Sequence, residues 1–539
     1  MPSQVGWGNV TQDFGAAAAM QRVCRCAVRP VALPAAIAAL ALILRLCGLG
    51  DKPFWLDEVA SLHRATASVP DLLADSMHAN HYPSYFLLLW LIARIGVSQW
   101  LLRLPSAICG AVAAALACAI GRRAAGPRSG AVAGLLMAFS PFEVQLGQEA
   151  RSYTLVSCLI LVALWGLVRL AQDPLAAALP LGREGAARRA WAAYALGTAA
   201  SLGVLNVAVT WFFAANLAAL GIASRDRPAI RGFGRNWLLV QCLILAAWLP
   251  SAAAVYIVGH RTILDGTAWA PAETVATIWS TVAPVYLMRI STFITLDLFP
   301  AALPGLSLAV AVLVGLGAWQ LRRDSPLIWV LGCAALVPPF ALLLVSLFVP
   351  VLVPRYLAWS AAPFFILAGA GLGRIAVVPF AILMPALGLG CLINLLPYYD
   401  SETKPRWDLL AAKLATDARP GDVILLNSYY AYSVLAVFAS RAGLADRSVR
   451  LTWLLPEAAG LAAGHDLWVV YGRAGQRISQ APEEYRQAIG VLGLPIAETA
   501  IGRYIRVWRY SIAPVQGDVS PGTLPSPEPA NSSARRGGA

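Results

Sequence analysis

Over its first 397 residues the chain alternates long apolar runs with short polar breaks, and the runs are long enough to be membrane helices. They fall at about 31–49, 104–121, 131–147, 152–171, 190–207, 208–224, 236–257, 301–320, 326–350, 354–373 and 375–397. A helix needs about 20 apolar residues to cross a hydrocarbon core of about 30 Å, so this pattern predicts about eleven spans. One further apolar stretch, 83–97, is ambiguous: it holds Arg94, and its about 15 residues rise only about 22 Å as a helix, short of that core. After Leu396 the pattern changes to short runs of strand and helix type. It predicts helices at Trp407–Thr416 and Pro482–Ile489, and strands at Asp422–Asn427, Trp468–Tyr471 and Tyr504–Trp508. That is a small α/β domain over 398–512. The residues from 513 to 539 are rich in Pro, Ser and Gly and are expected to be disordered.

Composition turns the pattern into a class. Of 539 residues 59% are hydrophobic and 13% charged, against about 25% charged in soluble domains. A soluble enzyme of this length lacks the surface charge it would need. The net charge of +13 does not indicate a nucleic-acid partner, because the arginines cluster in the breaks between apolar runs. The nine cysteines lie in apolar runs or in the N-terminal segment, so no disulfide framework is expected. The fold class is an α-helical polytopic membrane protein.

The arginines also orient it. If 83–97 does not span, the breaks on the side of the N-terminal segment 1–30 collect Arg22, Arg25 and Arg29, then Arg122, Arg123 and Arg128, then Arg183, Arg188 and Arg189. Arg225, Arg227, Arg231, Arg235, Arg322, Arg323 and Arg374 follow on the same side. By the positive-inside rule that side is cytoplasmic. The loop 51–103, the turn at 143–153, the segment 258–300 and the C-terminal domain then lie outside. Arginines outnumber lysines 38 to 3, a bias of GC-rich genomes, and the expected home is the inner membrane of a bacterium.

Ionisable groups at membrane depth are costly and therefore candidates for function. Asp57 and Glu58 follow the first span beside Trp55; they offer a general base and a cation ligand, or equally two acids at a helix N-terminus. His81, in Asn80-His81-Tyr82-Pro83, can bind a metal or a phosphate oxygen, or cap a helix. Glu149, Arg151 and Tyr153 sit in a turn too short to need charge for solubility. Arg103, Arg355 with Tyr356, and His260 with Arg261 stand at outer ends of spans. There an arginine can hold a lipid phosphate or snorkel to headgroups. Acids, a His and several arginines on one membrane face suit cleavage of a lipid-phosphate bond. No Gly-rich phosphate loop points to soluble nucleotide chemistry. Tyr429, Tyr430 and Trp453 of the C-terminal domain can stack on sugars or fill its core.

The order Trp55-Leu56-Asp57-Glu58, His81-Tyr82-Pro83, Arg103-Leu104-Pro105-Ser106 and Gly121-Arg122-Arg123 resembles the GT-C membrane glycosyltransferases. So do Ser140-Pro141-Phe142, Gln148-Glu149-Ala150-Arg151-Ser152-Tyr153 and Arg355-Tyr356-Leu357. Within that group it is similar to the bacterial relatives of protein O-mannosyltransferases and of the lipid A aminoarabinose transferase. Tyr82 stands where a proline is usual in the family. The resemblance implies a GT-C-like catalytic domain over 31–397 with its first outer loop at 51–103. It also implies transfer of a sugar from a polyprenyl-phosphate donor to a glycan, lipid or protein acceptor, on the outer face, with inversion. It makes Asp57 the base, and Glu58 and Glu149 further acids of the reaction centre. His81, Arg103, Arg151, Tyr153, Arg355 and Tyr356 become substrate-binding residues, and His260 is added to them from its place at the outer end of a span. A divalent cation is left open by the family, with Glu58 and His81 the ligand types on offer. The alternative is a transporter or flippase of a lipid-linked substrate, which would place charges and broken helices near mid-membrane in symmetrical halves.

Overall fold

The computed structural model describes residues 31–181, 185–223, 230–260, 274–290, 304–453, 464–472 and 494–512, with single positions 462, 490 and 492. The segment 1–30, Arg261, the helix expected at Pro482–Ile489 and the tail from 513 lie outside them. The chain divides into two compact units, the first running to Trp407 and taking in Gly502–Tyr504, the second made of most of the residues from Asp408 on.

The first unit is helical. Its elements begin with α1 (Ala32–Leu46), α2 (Leu56–Thr66), α3 (Val69–His78), α4 (Ser84–Ala93), α5 (Gln99–Ala125), α6 (Pro127–Phe139), α7 (Pro141–Gly147) and α8 (Tyr153–Gln172). There follow α9 (Gly185–Leu202), α10 (Val209–Ala223), α11 (Ile230–Gly259), α12 (Val275–Tyr286), α13 (Pro304–Leu321), α14 (Ser325–Ser346), α15 (Ala358–Gly373) and α16 (Val377–Asp400).

All eleven apolar runs fold as helices. Among the described residues eight are long and apolar enough to cross a membrane, or nine if α6 and α7 form one bent span. The remaining two are α1, only 15 residues long, and α9, which carries Arg188 and Arg189 near its start. Helix α4 has 10 residues and rises about 15 Å, so the 83–97 run does not span.

Local chemistry sets the boundaries that matter for the site. Ser98 caps α5, its Oγ accepting the Leu101 amide at 3.2 Å. Between α6 and α7 Ser140 caps the second helix, and Pro141, which cannot continue an α-helical ladder, leaves the pair bent by 61°. The bend delivers Gln148–Ser152 as a buried turn at the head of α8. Asn80, with φ of 56°, makes the left-handed corner between α3 and α4 that sets the place of His81. Asparagine is one of the few side chains that tolerates this region.

The helices alternate in direction. The end of α1, the loop carrying α2 to α4, the 148–152 turn, the residues before α15 and the end of α16 therefore gather at one end of the unit. Arg122, Arg123, Arg128, Arg322, Arg323 and Arg374 belong to the other end. There Gln172 donates to the Arg123 carbonyl, Arg128 to that of Ile375 and Arg374 to that of Gln320.

Among the described residues the second unit, from Asp408, has a five-stranded sheet and two α-helices, α17 (Trp407–Asp417, whose first residue belongs to the first unit) and α18 (Tyr429–Arg441). The strands are β1 (Val423–Leu426), β2 (Arg450–Thr452), β3 (Asp466–Gly472), β4 (Ala497–Ile501) and β5 (Ile505–Ser511), in the order β2-β1-β3-β5-β4. The β1 strand is parallel to both β2 and β3, whereas β5 runs antiparallel to β3 and β4. Val423, Leu425, Leu467, Val469 and Tyr510 fill its core. Tyr429 and Tyr430 are 57% and 64% exposed and Trp453 is 39% exposed, so these aromatics are not core residues. Strands β2 and β4 and helix α18 were not foreseen: β2 has three residues, and β4 carries no strong apolar alternation.

Helices α13 and α15 cross with no side chain between them. A Cβ on Gly317 would run into the Leu367 carbonyl, and one on Gly371 into that of Leu313. Small residues allow this approach, which is how helices pack without a hydrophobic drive in lipid. Gly317→Val is expected to cost about 1–3 kcal/mol by overpacking, visible as a lower unfolding temperature in detergent. Gly315→Ala, which faces open space on the same helix, is the control. Equal stability of the two variants would contradict this crossing.

Candidate active site

Asp57 and Glu58 occupy the first turn of α2. Their position at a helix N-terminus, where acids are favoured, is thus real, but it accounts for neither side chain's surroundings. Glu58 is fully buried. Its Oε1 accepts from Arg103 Nε at 2.7 Å and from the Ala150 amide at 3.0 Å. Its Oε2 accepts from Arg103 Nη2 at 2.8 Å and from Lys404 Nζ at 2.8 Å. A carboxylate has about four lone-pair sites, and here all are taken.

Arg103 is equally committed. Besides the two bonds to Glu58, it donates through Nη1 to the carbonyls of Leu49 and Lys52, at 2.9 and 2.8 Å, and through Nη2 to Pro53 O at 3.1 Å. The five N–H groups of a guanidinium meet five acceptors. Burial by itself would raise the Glu58 pKa, but Arg103 and Lys404 outweigh it and hold it down at about 2.

Asp57 differs from its neighbour. Its side chain is 21% exposed, with Arg355 Nη1 at 3.3 Å and Arg151 Nη2 at 3.8 Å from Oδ2. Burial pushes its pKa up, whereas Arg355 and Arg151 pull it further down, so it is a carboxylate at neutral pH. Arg355 lies over the Trp55 ring and Arg151 over that of Tyr153, whose ring also meets Tyr356.

His81 is half-buried at this place. Desolvation first, then the positive charges of Arg151 and Arg64, lower its pKa to about 3 despite Asp57. It is a neutral imidazole, and among the described residues its ring makes no hydrogen bond; its one ring contact is Phe86. Arg64 is tied to Asp75 at 2.7 Å. The cluster around Asp57 therefore carries more positive than negative charge, which suits an anionic ligand.

Glu149 lies behind, 1% exposed, with Oε1 3.9 Å from Lys404 Nζ and Oε2 buried without a hydrogen-bond partner. Burial raises its pKa to about 7, against the pull of Lys404.

The structure thus brings together Asp57, Glu58, His81, Arg103, Glu149, Arg151, Tyr153, Arg355 and Tyr356. His260 follows α11 and is exposed, its Nδ1 3.0 Å from the Ile257 carbonyl O and its ring against Tyr256, with no bond to this group among the described residues. Of the three acids expected at the reaction centre, Asp57 alone opens to solvent. Glu58 and Glu149 are closed off by the protein itself. A metal does not fit the suggested pair either: Glu58 has no lone pair left. Among the described residues no three of His, Cys, Asp and Glu form a metal-holding group.

Sequence reasoning missed Lys404 and Lys52. Lys52 Nζ donates to the carbonyls of Tyr398 and Ser401 and to Thr403 Oγ1, at 2.8, 2.7 and 3.2 Å. The signal was present: only three of 41 basic residues are lysines, and two of them are these.

Residues 80–249 match the family model of dolichyl-phosphate-mannose-protein mannosyltransferases. Two crystal structures of ArnT from Cupriavidus metallidurans superpose over 89% of this chain and 99% of theirs, at 13% identity. Their TM-scores are 0.56 for the apo state and 0.54 for the state bound to undecaprenyl phosphate. The Archaeoglobus fulgidus oligosaccharyltransferase superposes over 83% of this chain and 70% of its own, at 11% identity and TM-score 0.51. A search of curated proteins found no match. The chain has the GT-C fold of membrane glycosyltransferases.

Removing one partner of a buried ion pair strands the other, at about 3–5 kcal/mol. Arg103→Met is expected to lose that much, measured as unfolding in detergent. Arg94→Met, at an exposed arginine, should change stability by no more than about 0.5 kcal/mol. Similar small losses for both would contradict the central role of Arg103.

Proposed function

We propose that this protein transfers a sugar from a polyprenyl-phosphate donor to an acceptor hydroxyl, at the outer face of a bacterial inner membrane and with inversion at the anomeric carbon. The observation that carries this reading is the Asp57 carboxylate, open to solvent and flanked by Arg355 and Arg151. An ionised acid beside two guanidinium groups has what such a transfer needs: a proton acceptor and fixed positive charge for a leaving phosphate.

In this scheme the acceptor oxygen attacks the anomeric carbon from the face opposite the phosphate. Its proton passes to an Asp57 oxygen, the bond between carbon and phosphate oxygen breaks, and the polyprenyl phosphate leaves as an anion. Arg355 and Arg151 stabilise the negative charge that grows on it. Neutral His81 can donate to or accept from a sugar hydroxyl without adding charge. Tyr153 and Tyr356 flank the same arginines and wall the donor side. Glu58, Arg103 and Glu149 act from behind, holding the two turns in place.

Sidedness rests on the separation of charge along the unit. The arginines at the far end fit the positive-inside rule, which supports a reading with Asp57 and the C-terminal domain outside and the N-terminus in the cytoplasm. Support for the donor comes from ArnT, whose structure holds undecaprenyl phosphate, and from the dolichyl-phosphate-mannose family model.

The test uses full-length protein in membranes with radiolabelled polyprenyl-phosphate sugars and a lysate of envelope acceptors. Asp57→Asn is expected to reduce transfer by about 10²–10⁴-fold with donor binding retained. Arg355→Gln is expected to reduce it by about 10²–10³-fold and to weaken donor binding as well. Unchanged transfer in Asp57→Asn would remove it as the base. Donor movement across proteoliposomes without transfer would favour a flippase instead.

A further inference from the structure

Lys404 is the least expected member of the cluster. It comes from the short segment between α16 and α17, remote in sequence from every other group near Asp57. Its ammonium is 4% exposed and lies 2.8 Å from Glu58 and 3.9 Å from Glu149. Those acids belong to two different elements, the first turn of α2 and the 148–152 turn. Lys52, anchored to Tyr398, Ser401 and Thr403, fixes the segment from which Lys404 reaches in.

We propose that Lys404 is a positioning residue for transfer: its ammonium bridges Glu58 and Glu149, and the bridge holds the α2 turn that carries Asp57 against the 148–152 turn. This rests on the transferase reading and deepens it, because Lys404 touches neither donor nor acceptor in that scheme. Arg103 alone cannot make the bridge, since its five N–H groups are all spent on Glu58 and three carbonyls. Without Lys404 two buried acids would face one another with no cation between them.

The charge on Glu149 reports the bridge. Lys404 faces it from the 401–406 segment, Glu58 and Asp57 from α2, Arg355 from the residues before α15, Arg103 from α5 and Tyr398 from α16. Its pKa of about 7 results from burial, eased by Lys404. The sign follows: above that pH Glu149 is an anion and the bridge is complete, and below it Glu149 takes a proton and one arm is lost. Transfer should fall on the acid side. Removing Lys404 takes away the cation that eases ionisation, so the acid limb should move to higher pH.

The bridge is also readable without any transfer. The Ala150 amide donates to Glu58 Oε1, and the Glu58 and Val59 amides donate to the Trp55 carbonyl. Hydrogen exchange at these amides is measured on the full chain in nanodiscs, beside the pH profile of transfer. Lys404→Met is expected to exchange faster at Ala150 and in the first turn of α2. It should transfer about 10²-fold more slowly at neutral pH, with its acid limb moved up. Lys404→Arg should restore the limb, and Lys413→Met, on the surface of α17, should change neither readout. Should Lys404→Met not assemble, Glu149→Gln serves: it removes one arm, and the acid limb near pH 7 should vanish. Unchanged exchange at Ala150 in Lys404→Met would overturn the proposal, as would a profile lowered in height with its limb unmoved. If exchange responds and the wild type transfers nothing from any polyprenyl-phosphate sugar, the bridge stands and the transferase reading falls.

Discussion

Everything at this end of the molecule hangs on one ion pair. Glu58 and Arg103 are both closed to solvent, and desolvating two such charges costs several kcal/mol per ion. What offsets that cost is completeness: four donors on the carboxylate and five acceptors on the guanidinium leave no polar atom of either charged group without a partner. The pair also does topological work. It joins the loop after α1, the head of α5, the turn before α8 and, through Lys404, the segment after α16. Because Asp57 is the residue beside Glu58 on the same helical turn, fixing one fixes the other.

The two adjacent acids therefore divide the labour by their surroundings. Glu58 faces inward, where Arg103 and Lys404 overcome burial and hold its pKa at about 2, and it can neither take a proton at physiological pH nor spare a lone pair for a metal. Asp57 faces outward, ionised between arginines that can also meet a phosphate. His81, kept neutral first by burial and then by its cationic neighbours, adds hydrogen-bonding capacity without competing for the anion. One helical turn supplies both the buried anchor and the outward-facing carboxylate, a consequence of side chains at successive positions pointing to different faces of a helix.

Much of this was legible in the sequence. The eleven apolar runs all became helices, and length together with arginine placement argued against 83–97 as a span, which folds as the 10-residue α4. Asp57, Arg151 and Arg355 were reachable because charged residues in such an apolar chain need a reason. The inward turn of Glu58 was not legible, since two neighbouring acids read alike until a helix gives them faces. The rarity of lysine marked Lys404 as unusual, but its partner was hidden by distance along the chain: nothing local ties a lysine after α16 to an acid after α1. The three-residue β2 escaped, and the choice between surface and core for Tyr429 and Tyr430 stayed open, for a related reason. Tertiary context decides both, and no periodicity records it.

The most direct measurement is a structure of the protein in nanodiscs with a non-hydrolysable polyprenyl-phosphate sugar bound. The account places the phosphate against the Arg355 and Arg151 guanidinium groups, the anomeric carbon facing Asp57, and Glu58 still wholly engaged by Arg103, Lys404 and Ala150. A phosphate bound instead among Arg322, Arg323 and Arg374 at the opposite end, with Asp57 turned away from the sugar, would contradict it.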